Sequence, residues 1–118
     1  MTEVVRTGAN PAARLPVFAD VDTGVDDAVA LAYLLASDDA ELVGVASTAG
    51  NVPVDQVCVN NLGLLALCGA SDIPVSKGSE RPLAMPLRTA EDTHGPEGLG
   101  YAQLPAGGGR LTDYDAAT

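Results

Sequence analysis

The chain has 118 residues, and 16 acidic side chains against six Lys and Arg give it a net charge of −10 at pH 7. Such a charge repels nucleic acid and anionic membranes, so we expect neither as a partner. Hydrophobic residues make up 47% of the sequence and aromatic residues 3%, which predicts a globular domain with an aliphatic core. Residues 1–14 lack hydrophobic periodicity and a signal-peptide core, which predicts a flexible leader on a cytoplasmic protein, with the domain at 15–118.

Strands and helices alternate along the domain. The predicted elements are a strand at 15–19, a helix from Val25 to about Ser37, a strand at 41–47, a helix from Pro53 that Gly69 ends, and a strand at 73–75. This order is typical of right-handed parallel crossovers, so we expect an α/β fold, a Rossmann-like parallel sheet with helices on both faces. Residues 111–118 look like the start of a further helix, so we expect the domain to be truncated.

The second predicted helix carries both cysteines on its apolar stripe. Its predicted buried residues are Val54, Val57, Cys58, Asn61, Leu64, Leu65 and Cys68. Two cysteines without a second pair support neither a disulfide framework nor a thiolate zinc site. Both are therefore predicted to be reduced residues of the core.

Polar residues follow the first two predicted strands. Asp20, Asp22, Asp26 and Asp27 surround Gly24 after the first strand, and residues 48–51 follow the second. Carboxyl ends of parallel strands meet at one edge of a sheet, which is where such folds bind ligands. The long Pro- and Gly-rich stretch at 77–105 is typical of an active-site loop.

Four carboxylates in eight residues repel one another unless a cation lies between them. Oxygen ligands without His or Cys favour calcium or magnesium over zinc, and calcium tolerates the irregular geometry of a bent loop. A structural alternative is that Asp26 and Asp27 only complement the positive helix end, while Asp20 and Asp22 are solvated.

Three segments together resemble the inosine- and uridine-preferring nucleoside hydrolases. Residues 20–28 resemble that family's signature Asp-x-Asp-x-Gly-x-Asp-Asp-Ala, residues 48–51 end in a family-like Gly-Asn pair, and residues 94–100 resemble its His-Gly-x-x-Gly loop. The resemblance implies calcium-dependent hydrolysis of the N-glycosidic bond of ribonucleosides, through an oxocarbenium-like state, to free base and ribose.

The resemblance also assigns roles to the acidic residues. Asp22 is expected to bind calcium and to act as general base on the attacking water, and Asp27 is expected to be a second calcium ligand. Asp26 would accept a hydrogen bond from a ribose hydroxyl. Asp20 is expected to support this group without touching the cation. The proton donor to the leaving base is not identified in this chain.

Two further residues belong to the expected substrate site. Asn51 is predicted either to reach the ribose or the water, or to cap the following helix. His94, the single histidine, is predicted to line the nucleoside pocket on a mobile loop, although a lone loop histidine is also compatible with simple exposure.

Members of this family are more than twice as long as the chain, and their remaining sequence supplies further calcium and ribose ligands. We therefore expect little hydrolase activity and weak calcium affinity from these residues alone, and association through the uncovered sheet, as a homo-oligomer or otherwise. Preference for purine or pyrimidine bases is left open.

The acidic loop also resembles motifs of other protein classes. A haloacid-dehalogenase-like phosphatase would use Asp20 as nucleophile, but Thr23 comes one position early for its motif. A non-enzymatic calcium-binding loop of EF-hand type would need Glu where Leu31 stands and a helix before the loop. The third alternative is an inactive truncated product of the hydrolase family without a biological role.

Overall fold

The computed structural model describes residues 14–81, 84, 86–100, 102–107 and 109–112, so the predicted leader lies outside the described residues except for Arg14. Its elements are β1 (Leu15–Val21), α1 (Val25–Ala36), β2 (Ala40–Ser47), α2 (Val54–Leu67), β3 (Val75–Lys77) and α3 (Glu91–His94). The predicted alternation of strands and helices is confirmed as far as β3. Within the described segments, every helix is too short or too polar to cross a bilayer.

The three strands form one parallel sheet in the order β1-β2-β3. Val21 at the end of β1 pairs with Ser47 at the end of β2, and Ser47 pairs with Lys77 at the end of β3. All three carboxyl ends therefore lie at one edge of the sheet. The loops that follow β1 and β2 leave this edge side by side.

The main hydrophobic cluster lies on one face of the sheet. Ala19, Val45 and Val75 are neighbours across the three strands, so their side chains point to the same face. They pack in a single cluster with residues of both long helices, namely Leu31 of α1 and Leu64 and Leu65 of α2. The α/β fold is confirmed, but α1 and α2 share this face, whereas the sequence predicted helices on both faces.

Helix α1 presents a narrow apolar face to the core. Leu31 is 1% exposed, and Ala28, Leu34 and Leu35 pack around it. The helical spacing that predicted α1 also included Val25 and Val29, but Val29 is 66% exposed. The spacing therefore predicted the helix correctly but not its buried face, which is centred on Leu31 and excludes Val29.

Helix α2 begins after Pro53 and ends where Gly69 adopts a left-handed backbone with φ +72°. Glycine adopts this conformation without steric cost, so Gly69 terminates the helix as the sequence predicted. Cys58 is buried and Cys68 is exposed, and neither forms a disulfide. The prediction that Cys68 belongs to the core is wrong, because it lies beyond the last helical residue.

The third strand differs from its prediction, since it occupies Val75–Lys77 rather than residues 73–75. Its outer edge bonds to a distant segment. Leu111 forms a parallel bridge with Val75, and the Thr112 backbone N–H donates to the Val75 carbonyl at 2.8 Å. Residues 111–112 are therefore extended, and the helix predicted to start there is wrong at these positions; residues 113–118 lie outside the described residues.

Candidate active site

Strand β1 continues for two residues beyond the predicted strand, because Asp20 pairs with Ala46 and Val21 with Ser47. Asp20 therefore lies on the strand rather than in the loop. Its Oδ1 accepts a hydrogen bond from the Thr48 hydroxyl, and its side chain is exposed. Asp20 thus joins the end of β1 to the first residue of the loop after β2.

Asp22 is the first residue after β1, and it contacts the loop after β2. The Asn51 backbone N–H donates to Asp22 Oδ2 at 3.2 Å, and Asn51 Nδ2 donates to the Asp22 carbonyl at 3.4 Å. A Cβ atom on Gly50 would lie 2.2 Å from Asp22 Oδ2. Only glycine at position 50 allows this contact between the two loops.

Asp27, in the first turn of α1, is in hydrogen-bonding contact with Asp22. The pKa of Asp27 is raised from 3.8 to about 6, first by burial and then by the hydrogen bond and negative charge of Asp22. Backbone hydrogen bonds at Asp22 and Gly24 act in the opposite direction. Two carboxyl groups are thus in contact at the edge of the sheet, and a cation between them would offset their repulsion.

Asp26 also lies in the first turn of α1, and its side chain is exposed. There its charge complements the positive end of the helix. The four aspartates around Gly24 are therefore not one cluster: Asp22 contacts Asp27, Asp20 bonds to Thr48, and Asp26 faces solvent.

His94 comes to the acidic residues from a distant part of the sequence. It is the last residue of α3, a short helix that the sequence did not predict, and its Nδ1 accepts the Val25 backbone N–H at 3.2 Å. That N–H belongs to the first turn of α1, whose backbone donors have no partner within the helix. His94 therefore closes the amino end of α1.

Gly24 is the point where three segments meet. A Cβ atom at this position would lie 2.6 Å from Asn51 Nδ2 and 2.7 Å from His94 Nδ1. Its backbone φ of −99° is open to any residue, so glycine is needed here for space and not for conformation. Asp22, Asn51 and His94 therefore surround one small turn.

The two interpretations of Asn51 predict different contacts. Helix α2 has Pro53 at its N-cap and no side-chain capping bond, while the Asn51 side chain donates to Asp22. The Asn51 carbonyl also accepts the Ala90 backbone N–H at 2.7 Å. The geometry disagrees with the capping role, and contact with ribose stays a prediction.

The sequence interpretation missed the polar residues behind this turn. Thr23, Ser47, Asn60 and Asn61 are each at most 2% exposed. The available signal was a pair of successive asparagines within a mostly apolar helix, since a buried amide needs hydrogen-bond partners. The predicted apolar stripe of α2 includes Asn61 but not Asn60.

The donor set fits part of a calcium site. Asp22 and Asp27 supply carboxylate oxygens in contact, which is the chemistry that calcium prefers. Across the described ranges, however, no group of three or more His, Cys, Asp or Glu side chains is arranged to hold a metal ion. Two carboxylates fall short of the roughly six to eight oxygen ligands of a calcium ion.

Comparison with known proteins identifies the family. The family model for inosine-uridine preferring nucleoside hydrolases matches residues 17–118, which include the residues of the site described above. The chain belongs to this family. Among curated relatives of this nucleoside hydrolase chain, a pyrimidine-specific ribonucleoside hydrolase of Citrobacter koseri is 42% identical over 91 residues, and a non-specific one of Klebsiella pneumoniae is 43% identical over 89 residues.

Solved structures agree with the family assignment. A purine-preferring ribonucleoside hydrolase from Gardnerella vaginalis superposes with a TM-score of 0.81 at 31% identity, over 87% of this chain and 34% of that one. A plant nucleoside hydrolase gives a TM-score of 0.78 at 34% identity, over 85% of this chain and 32% of that one. The two curated relatives are matched over 77% and 75% of this chain, and the chain spans 29% of each.

Membership in the nucleoside hydrolase family decides between the alternatives. A haloacid-dehalogenase-like phosphatase using Asp20 belongs to a different family, so this alternative is wrong. An EF-hand needs a helix before its loop, whereas β1 precedes the acidic residues here, so this alternative is wrong as well.

Proposed function

We propose that the chain supplies part of the active site of a hydrolase that cleaves the N-glycosidic bond of ribonucleosides to free base and ribose. The observation that carries this proposal is the contact between Asp22 and Asp27 at the carboxyl end of β1. Asn51 and His94 lie beside the same turn. Family membership supports the reaction class, because the curated relatives are ribonucleoside hydrolases.

Asp22 is the general base of the proposed reaction. Water attacks C1′ of the ribose, the bond from C1′ to the base nitrogen breaks with its electron pair going to the base, and Asp22 takes the proton of the water. The Asn51 N–H, which donates to Asp22 Oδ2, keeps the carboxylate in a fixed orientation. The departing base also needs a proton donor, and we assign this role to none of the described residues.

Asp22 and Asp27 are the proposed calcium ligands. When bound, calcium would supply the positive charge that orients the water and the ribose 2′ and 3′ hydroxyls. The charge of the cation would also favour the ionised form of Asp27, whose pKa is raised without it. Because two carboxylates are an incomplete ligand set, we expect calcium to bind these residues with a dissociation constant above the micromolar range.

Asp26, Asn51 and His94 are the proposed nucleoside contacts. Asp26 is exposed beside Asp27, so its carboxylate is free to accept a hydrogen bond from a ribose hydroxyl. The Asn51 amide and the His94 ring both lie next to Gly24. Ribose would therefore lie against the acidic residues, with the base towards His94.

A matched pair of ligands tests this proposal on the full chain. His94 is the only histidine, so its imidazole NMR signal reports binding without ambiguity. Titration with inosine in calcium is expected to shift this signal, and 2′-deoxyinosine is expected to bind about tenfold more weakly because a hydroxyl contact is lost. Asp26→Asn should reduce that difference, while Asp72→Asn, an exposed site in the turn between α2 and β3, should leave it unchanged.

Ribose release gives the second readout. We expect slow release of ribose from inosine or uridine, and Asp22→Asn should abolish it. Release that survives Asp22→Asn would contradict the role of Asp22. Equal affinity for inosine and 2′-deoxyinosine would contradict recognition of the ribose at this site.

A further inference from the structure

A group of buried polar side chains lies behind the acidic turn, defined here as residues 22–27. The Thr23 hydroxyl donates to Asn61 Oδ1, and Asn61 Nδ2 donates to Ser47 Oγ at 3.0 Å. Asn60 Nδ2 donates to the Thr23 carbonyl at 3.2 Å and to the Glu97 carbonyl at 2.7 Å. Two successive residues of α2 thus hold both the side chain and the backbone of the residue that follows Asp22.

Asn60 differs from Asn61 in the segments that it joins. Asn61 connects the acidic turn to the end of β2, within the sheet edge. Asn60 connects the acidic turn to the histidine loop, defined as residues 94–100, because one amide nitrogen bonds to a carbonyl in each. Its Oδ1 accepts Gln56 Nε2 at 2.9 Å, so every polar atom of this 2% exposed side chain is paired.

Backbone hydrogen bonds within the histidine loop form a turn at the position where Asn60 contacts it. The Gly98 N–H donates to the Gly95 carbonyl at 3.1 Å, and the Gly100 N–H donates to the His94 carbonyl at 2.6 Å. Gly98 has φ +86°, and a Cβ atom there would lie 3.3 Å from the Thr23 carbonyl. The turn therefore packs directly against the acidic turn, and Glu97 presents its carbonyl to Asn60.

We propose that Asn60 is a positioning residue that fastens the histidine loop to the acidic turn and so holds His94 at the amino end of α1. A side-chain amide has two N–H donors, and here each serves a different loop. Removal of these donors frees Glu97, while Asn61 still holds Thr23. The histidine loop then loses its connection to α2, and the acidic turn keeps its own.

This inference rests on the proposed function in one respect: the fastened loop is expected to strengthen nucleoside binding through His94. Binding of D-ribose, which has no base to place beside the loop, should be independent of Asn60. Inosine should depend on it. Comparison of these two ligands separates a role in positioning His94 from general damage to the site.

The test uses the full chain with Asn60→Asp, which keeps the size and an oxygen acceptor but leaves at most one donor for the two carbonyls. Exchange of the Val25, Gly98 and Gly100 amides should accelerate at least about tenfold, because their hydrogen bonds depend on the order of the loop. The Val57 and Cys68 amides at the two ends of α2 should be unchanged. Gln56→Ala, which removes only the partner of Asn60 Oδ1, is the matched control.

Inosine affinity, followed by the His94 signal, should fall about tenfold in Asn60→Asp with ribose affinity unchanged. Asn60→Ser, which is too short to reach both carbonyls, gives the same test if Asn60→Asp does not fold. Unchanged loop exchange, or equal acceleration at Val57 and Cys68, would overturn the proposal. If the wild-type chain bound no inosine, the proposed function would fail, and the exchange rates alone would still decide whether Asn60 fastens the loop.

Discussion

Replacement of Gly50 by alanine tests the contact between the loop after β2 and Asp22. The added Cβ would lie 2.2 Å from Asp22 Oδ2, 2.8 Å from its Cβ and 2.9 Å from its Cγ. Carbon atoms pack at about 3.5–4.0 Å, so the carboxylate must move by more than about 1 Å. Rotation of the side chain does not move its Cβ, so the backbone of one of the two loops must also shift.

The expected destabilisation follows from what this movement disturbs. The hydrogen bond from the Asn51 N–H to the Asp22 carboxylate is lost, which costs about 1.5–3 kcal/mol for a charged acceptor. The Asp22 side chain is only half-buried and the loops can adjust, so we use the lower limit and add about 1–2 kcal/mol for overpacking. Gly50→Ala should therefore reduce the free energy of unfolding by about 3 kcal/mol.

Gly69→Ala is the matched control. Gly69 has φ +72° and nothing within 4 Å of an added Cβ, so alanine there meets backbone strain without a contact. The expected loss is about 1–2 kcal/mol, with no effect on the acidic residues.

Urea unfolding measures both losses, and carbon NMR measures the pKa of Asp27 in each variant. In Gly50→Ala the pKa of Asp27 should fall from about 6 part of the way towards 3.8, since Asp22 moves away while burial remains. Wild-type stability with an unchanged pKa of Asp27 in Gly50→Ala would refute the reasoning. An equal change of this pKa in Gly69→Ala would refute it too.

Three further predictions concern other parts of the molecule. Gly24→Ala should displace the side-chain ends of Asn51 and His94 at a cost of about 1 kcal/mol, and should shift the His94 NMR signal; an unshifted signal would contradict the close approach. In the metal-free chain the raised pKa of Asp27 favours its protonated form on folding, so its contribution to stability is lost as pH rises from about 4 to about 6. Asp27→Asn should therefore raise the free energy of unfolding of the metal-free chain by about 1 kcal/mol more at pH 7 than at pH 4, after allowance for solvent screening. Urea unfolding of both proteins at the two pH values measures this difference, and the same pH dependence in both would count against it. Leu31→Ala should cost about 2–5 kcal/mol in urea unfolding, because this side chain is 1% exposed in the core, and a loss below 1 kcal/mol would contradict that packing.

Local patterns were enough to predict most of the fold. Hydrophobic runs and helical spacing gave the order from β1 to β3, and Pro53 and Gly69 marked the ends of α2. The pairing of Leu111 with Val75 was not predictable in this way, because it depends on a contact between distant parts of the sequence. The extent of β1 was missed for a similar reason, since polar Asp20 is held in the strand by its pairing with β2.

The sequence predicted the site only in part. The placement of two loops at one sheet edge followed from the parallel strands, and the structure agrees. The sequence could not tell which of four neighbouring aspartates would meet, because one residue of extra strand or helix changes the direction of each side chain. The contact of His94 with Val25 joins residues 69 positions apart, so nothing in the local sequence indicates it.

The proposal that Asp22 and Asp27 share a cation is tested most directly by titration of the Asp27 carboxyl carbon with and without calcium. Without calcium, its pKa should be about 6. With calcium, the pKa of Asp27 should fall by more than one unit, because the cation favours its ionised form, and the Asp22 carboxyl signal should shift because the cation binds beside it. A pKa near 3.8 in the metal-free chain, or signals from Asp22 and Asp27 that do not respond to millimolar calcium, would contradict the shared site.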